Sequence, residues 1–109
     1  MTATVYDAGQ RYRDELDARA ACLHGLVEDA VGRGDTMLVI EQDDSLLEWD
    51  RRRLYSTARD AHLPLLRYEH RRASAEQLLA IPDAIAWCWA KGGHWRRRIQ
   101  PAVTTVRQV

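Results

Sequence analysis

Two acidic residues sit where acids are costly to keep. Thr36-Met37-Leu38-Val39-Ile40-Glu41 is an apolar run that ends on a carboxylate, and Ile81-Pro82-Asp83-Ala84-Ile85 opens a hydrophobic segment with a second one. An unpaired carboxylate in apolar surroundings costs several kcal/mol, so each position needs a compensating partner or a use. Carboxylate oxygens are hard donors, and two or three that converge bind Mg²⁺ or Mn²⁺. One or two such ions activate water and stabilise charge at a phosphate during phosphodiester cleavage. Glu41 and Asp83 are therefore the candidate catalytic pair. The competing reading gives Asp83 to the positive end of a helix and Glu41 to an arginine.

The other chemistry-bearing residues form weaker constellations. His24, His62, His70 and His94 lack ligand spacing, and Cys88 with His94 has no second donor pair to complete a zinc site. No Gly-x-Ser-x-Gly elbow is present, and neither Gly32-Arg33-Gly34 nor Lys91-Gly92-Gly93 stands where a phosphate-cradling loop must. Cys22 and Cys88 form no motif and read as small hydrophobes in a reducing compartment. Three basic clusters remain, Arg51-Arg52-Arg53, Arg71-Arg72 and Arg96-Arg97-Arg98. Trp95 beside Arg96, Arg97 and Arg98 could stack on bases, which makes that cluster the candidate nucleic-acid-binding group. Solvated helix faces that balance the acidic half explain the clusters as well.

The elements that position these residues follow from periodicity and breakers. Thr2 to Asp7 reads as a short strand. Leu16, Ala20, Leu23, Val27 and Ala30 recur at helical spacing within Gln10 to Val31, and Gly32 and Gly34 end that helix. Thr36 to Gln42 reads as a buried strand of the parallel type. Asp43, Asp44 and Ser45 offer N-caps for a helix whose apolar face is Leu47, Leu54, Ala58 and Ala61. Pro64 to His70 is a third strand, and Ser74-Ala75-Glu76-Gln77 looks like a capping box. Pro82 suits the first position of a helix that runs to about Ala90. His94 to Ile99 adds a further turn, and Ala102 to Val109 an edge strand.

The order β-α-β-α-β-α with a closing strand predicts an α/β fold, a small three-layer sheet domain. Ligands in such sheets gather beyond the carboxyl ends of the strands, where Asp7, Glu41, Asp43 and Asp44 all fall. If the third helix folds back on the sheet, its first turn brings Asp83 to the same rim, and two or three carboxylates converging there would take Mg²⁺ or Mn²⁺ as the implied cofactor. The chain has 109 residues, 46% hydrophobic and 29% charged, which fits one ordinary globular domain over 1–109. It has no apolar stretch near the roughly 20 residues of a membrane span and no signal-peptide pattern, so a cytoplasmic location and no membrane partner are expected. Net charge is zero, but residues 1–50 carry 12 acids and 4 bases and the remainder 4 acids and 12 bases. Such halves either neutralise each other in the fold or expose a face for an anionic partner such as nucleic acid.

The sequence of elements, with Leu78-Leu79-Ala80-Ile81-Pro82-Asp83-Ala84-Ile85-Ala86, resembles the latter part of the RNase H-like fold. It is similar to an uncharacterised bacterial RNase H-like family whose last helix carries L-x-x-A-D-x-x-A. Pro82 stands for the alanine, Asp83 matches the acid, Ala86 matches the final small residue, and Glu41 matches the acid that ends the fourth strand. The resemblance implies a divalent-metal nuclease scaffold with Glu41 and Asp83 as metal ligands. It also implies a missing N-terminal hairpin, whose first strand bears the principal aspartate. Either catalysis is lost or Asp7 substitutes, provided that its strand pairs with the Thr36 strand. The expectation is an interaction or remnant module without a complete catalytic site. A metal-dependent nuclease and a nucleic-acid-binding module are the alternatives. A sheet edge exposed by the missing hairpin would invite a homodimer.

Overall fold

A computed structural model describes residues 3–33, 37–60 and 67–109. Strand β1 (Ala3–Asp7) leads to α1 (Glu15–Val31), β2 (Met37–Glu41) and α2 (Leu47–Asp60). Strand β3 (Arg67–Arg71) and a 3₁₀ turn (Gln77–Leu79) lead to α3 (Ala80–Lys91) and α4 (Gly93–Ile99). A second 3₁₀ turn (Gln100–Ala102) then feeds β4 (Val103–Gln108). The alternating order is that expected of an α/β domain. Thr2, the helix-ending Gly34, Thr36, Ala61, His62 and the Pro64–Leu66 start of the expected third strand lie outside the described residues.

The strand neighbours differ from expectation. Strand β1 pairs in parallel with β4, and β2 pairs in parallel with β3, as two separate two-stranded sheets. The pairing of β1 with β2 that would set Asp7 beside Glu41 is not formed; Asp7 stands opposite Gln108. Apolar pattern tells which face of a strand is buried, not which strand lies next to it, so the pairing was not readable from periodicity.

Helix α1 ties the two sheets together. Its buried face is Leu23, Val27 and Ala30, and Leu23 and Val27 join Leu38 of β2 and Leu54 of α2 in the core. Gly25 sits at its contact with the other sheet. A Cβ there would come within 2.9 Å of Val109 Cγ1 and 3.4 Å of Tyr6 Cδ1. Glycine therefore lets the helix lie directly on β1 and β4, despite costing about 1 kcal/mol of helix propensity. The helix begins at Glu15 rather than Gln10, because Asp14 caps it by accepting from Leu16 N at 2.8 Å. Gly9, at φ 57°, turns the chain before that cap.

Strand alternation fixes the layering. Tyr6 donates its hydroxyl to Asp29 of α1, at 2.7 Å, whereas the next residue, Asp7, accepts from Trp89 of α3 at 3.5 Å. Successive side chains point to opposite faces, so α1 and α3 lie on opposite faces of β1. Helix α3 starts at Ala80, earlier than Pro82 suggested. Pro82 occupies the first turn, where its missing N–H would have no intrahelical partner. Glu76, not Ser74, caps the preceding 3₁₀ turn, by accepting from Leu78 N at 3.3 Å. The hydrophobic helix α3 contains no buried residue, and Trp87 is 52% exposed.

Some of the opposed charges of the two halves meet. Arg107 of β4 bridges Glu28 and Asp29 of α1, and Arg72 pairs with Asp44 at 3.1 Å. No helix of the described residues is long and apolar enough to cross a membrane.

Candidate functional site

Glu41 and Asp83 line one crevice of about 320 Å³. Strand β2 brings Val39, Ile40 and Glu41 to it, and β1 brings Tyr6. The turn before α3 and its first residues contribute Leu79, Pro82 and Asp83, while α1 supplies Arg19, Cys22, Leu23 and Leu26. Leu38 packs against α1 and α2, so the alternate residues Val39 and Glu41 face the side on which α3 lies. Glu41 ends its strand, as the apolar run predicted, and Asp83 falls in the first turn of α3; both residues are exposed, so the burial cost expected of them does not arise. Among the described residues neither carboxylate makes an ion pair or a side-chain hydrogen bond. The guanidinium pairing that would have given Glu41 a purely structural role is thus not made there.

The remaining acids of the rim are occupied. Asp7 accepts from Gly9 N at 2.8 Å and from Trp89 Nε1. Asp43 accepts from the Ser45 amide at 2.9 Å and from its hydroxyl at 2.6 Å, which shapes the turn into α2. Asp44 accepts from Gln42 and Arg72, and those hydrogen bonds hold its carboxyl below the usual range. No group of three or more His, Cys, Asp or Glu converges among the described residues. The donor set at the crevice is thus two carboxylates. Two hard oxygen donors suit Mg²⁺ or Mn²⁺ that keep several waters, and do not suit zinc, whose sites use nitrogen and sulfur. Cys22 borders the crevice as a free thiol; burial first, and the Asp7 charge second, push its pKa up and leave it an inert group.

Sequence reasoning missed the most buried charge among the described residues. Asp50 of α2 is wholly buried, and Arg19 holds it with two hydrogen bonds of 2.8 Å. His70 Nε2 of β3 lies 3.2 Å from the same carboxylate, with its side chain 3% exposed. Burial alone would raise the Asp50 pKa, but the bonds from Arg19 and His70 outweigh it and the net shift is downward. This network joins α1, α2 and β3, and it places Arg19 at the border of the crevice beside Glu41. The available signal was Asp50 itself, an acid four residues before Leu54 on the apolar stripe.

The basic candidates separate into two kinds. Arg96 turns inward: its Nε and Nη2 donate to the Trp89 carbonyl at 3.0 and 2.7 Å, and it stacks over the Trp89 ring at 4.5 Å. Arg97 and Arg98 are exposed. Nearby, Trp87 and Trp95 meet edge-on at 5.2 Å, and His94 stacks on Trp95 at 4.8 Å. No protein-family model, curated protein or solved structure matches this chain.

Proposed function

We propose that the protein is an RNase H-like domain that carries half of a divalent-metal phosphodiesterase centre, with Glu41 and Asp83 as carboxylate ligands for Mg²⁺ or Mn²⁺. One observation carries the reading. Two carboxylates distant in sequence line one crevice, and neither is neutralised by a described cation. Both residues are exposed, so a divalent ion can reach their carboxylates without first breaking an ion pair among the described residues. When bound, such an ion supplies an activated water and a positive charge against a phosphate. Glu41 and Asp83 fix its place, while Arg19, held by Asp50, adds a guanidinium at the border. With Asp7 occupied elsewhere, the described residues offer two ligands at the crevice, which suits weak binding that a phosphate substrate strengthens. Titration with Mn²⁺ should raise the melting temperature, and Asp83→Asn or Glu41→Gln should abolish the rise without lowering the melting temperature of the metal-free protein. An equal rise in both variants would end the reading.

A second reading rests on the Trp87–Trp95–His94 stack beside Arg97 and Arg98: a single-stranded nucleic acid could stack there while the guanidinium groups meet phosphate. Salt-sensitive binding of an oligonucleotide, weakened by Trp95→Ala and by joint replacement of Arg97 and Arg98, is its test.

A further inference from the structure

The crevice that holds the two acids is also a gap in a sheet. Asp7 O accepts from Val109 N on the β4 side, so the backbone groups of the preceding residue, Tyr6, point away from β4. Gln42 N donates to Arg71 O on the β3 side, so Val39 and Glu41 present their backbone groups away from β3. Tyr6, Val39 and Glu41 all border the same crevice. Two free strand edges therefore border one opening. The Tyr6 carbonyl there has the Cys22 thiol at 3.6 Å as its partner, and a thiol is a weak donor.

The opening continues as an apolar groove of about 600 Å³ between β1, from Ala3 to Tyr6, and the segment Leu78, Ile81, Pro82, Ile85 and Ala86. Leu78 is 69% exposed, and the first residues of the hydrophobic helix α3 are uncovered. An edge with unpaired amides beside an apolar surface is the arrangement that a peptide fills when it adds to a sheet. A helix does not fit this description, because its backbone groups are already satisfied and would leave both edges unpaired.

We infer that the gap between β1 and β2 binds an extended segment of another polypeptide. The segment would add as a strand between the two edges and join both two-stranded sheets into one. Its side chains alternate: one set packs on Leu23 and Leu26 of α1, the other on Leu79, Pro82 and Ile85 at α3. Both walls are apolar, so both sets are apolar or small. Glu41 and Asp83 stand at one end of the gap and select a lysine or arginine at that end of the segment. The inference rests on the strand edges and not on the metal reading, and its test is run in EDTA.

The probe is a fluorescent peptide of alternating valine and threonine with a terminal arginine; controls carry a terminal glutamate or a central proline. Fluorescence anisotropy should show saturable binding of the arginine peptide, at least tenfold weaker for both controls. Amide hydrogen exchange should slow at least tenfold at Tyr6, Val39 and Glu41, while the outer edges of β3 and β4 stay unchanged. Val39→Pro removes a gap-facing N–H and should abolish binding. Ile81→Glu, at an exposed site, is the variant that keeps the fold and should weaken binding at least tenfold. Absence of binding, equal binding of the proline control, or protection confined to the outer edges would each overturn the inference. So would a doubled sedimentation mass with these amides already protected before peptide is added, which would make a second copy the occupant.

Discussion

Replacing Asp50 tests whether the buried ion network holds the domain together. Asp50→Ala leaves His70 without its partner in a site 3% exposed, whereas Arg19, with 34% of its side chain exposed, can turn to water. Removing one member of a buried pair costs about 3–5 kcal/mol, and the escape route for Arg19 places this case near 3 kcal/mol. In a domain of this size that lowers the melting temperature by roughly 15 °C. The pH dependence follows from the lowered Asp50 pKa. The folded state binds fewer protons there than the unfolded chain, whose carboxyl titrates near 3.9. The stabilisation is thus complete above about pH 4 and is lost as pH falls through the folded value. Urea denaturation followed by circular dichroism, from neutral pH to pH 3, gives both numbers. Asp50→Ala should be about 3 kcal/mol less stable at neutral pH and should show a shallower acid-side loss. A difference under about 1 kcal/mol with an unchanged acid slope would refute the structural role given to the network.

Two further outcomes concern the faces of β1. Burial, reinforced by the Asp29 carboxylate, pushes the Tyr6 pKa up to about 12, so alkaline spectrophotometric titration should show a late phenol that Tyr6→Phe removes. Arg96→Ala deletes two hydrogen bonds to the Trp89 carbonyl and a stacked cation; it should cost about 1–2 kcal/mol and change tryptophan fluorescence. Arg97→Ala should leave both unchanged.

What the sequence disclosed depended on how each element is stabilised. Strand β2 is a continuous apolar run and α1 carries a regular apolar stripe, so both were legible, and the acid at the tip of β2 with them. The start of α1 was not, because Gly9 and the Asp14 cap override an apolar spacing that reaches back no further than Leu16. Strand partners were hidden because parallel pairing joins segments distant in sequence; β1 finds β4 at the far end of the chain. Asp50 was hidden because its partners come from α1 and β3, and no local pattern announces a tertiary ion network. The exposure of α3 was equally unreadable: Trp87 and Ile81 have the composition of core, and only the surroundings show that they stay 52% and 36% exposed.

The central claim is that Glu41 and Asp83 hold one divalent ion between them. Crystals soaked in Mn²⁺ and recorded for anomalous scattering test it directly. The expected result is a single peak in the crevice at about 2–2.5 Å from a carboxylate oxygen of each residue, the range that hard cations take. A peak bound to one of them alone, or scattering confined to Asp43 and Asp44 on the outer rim, would contradict it.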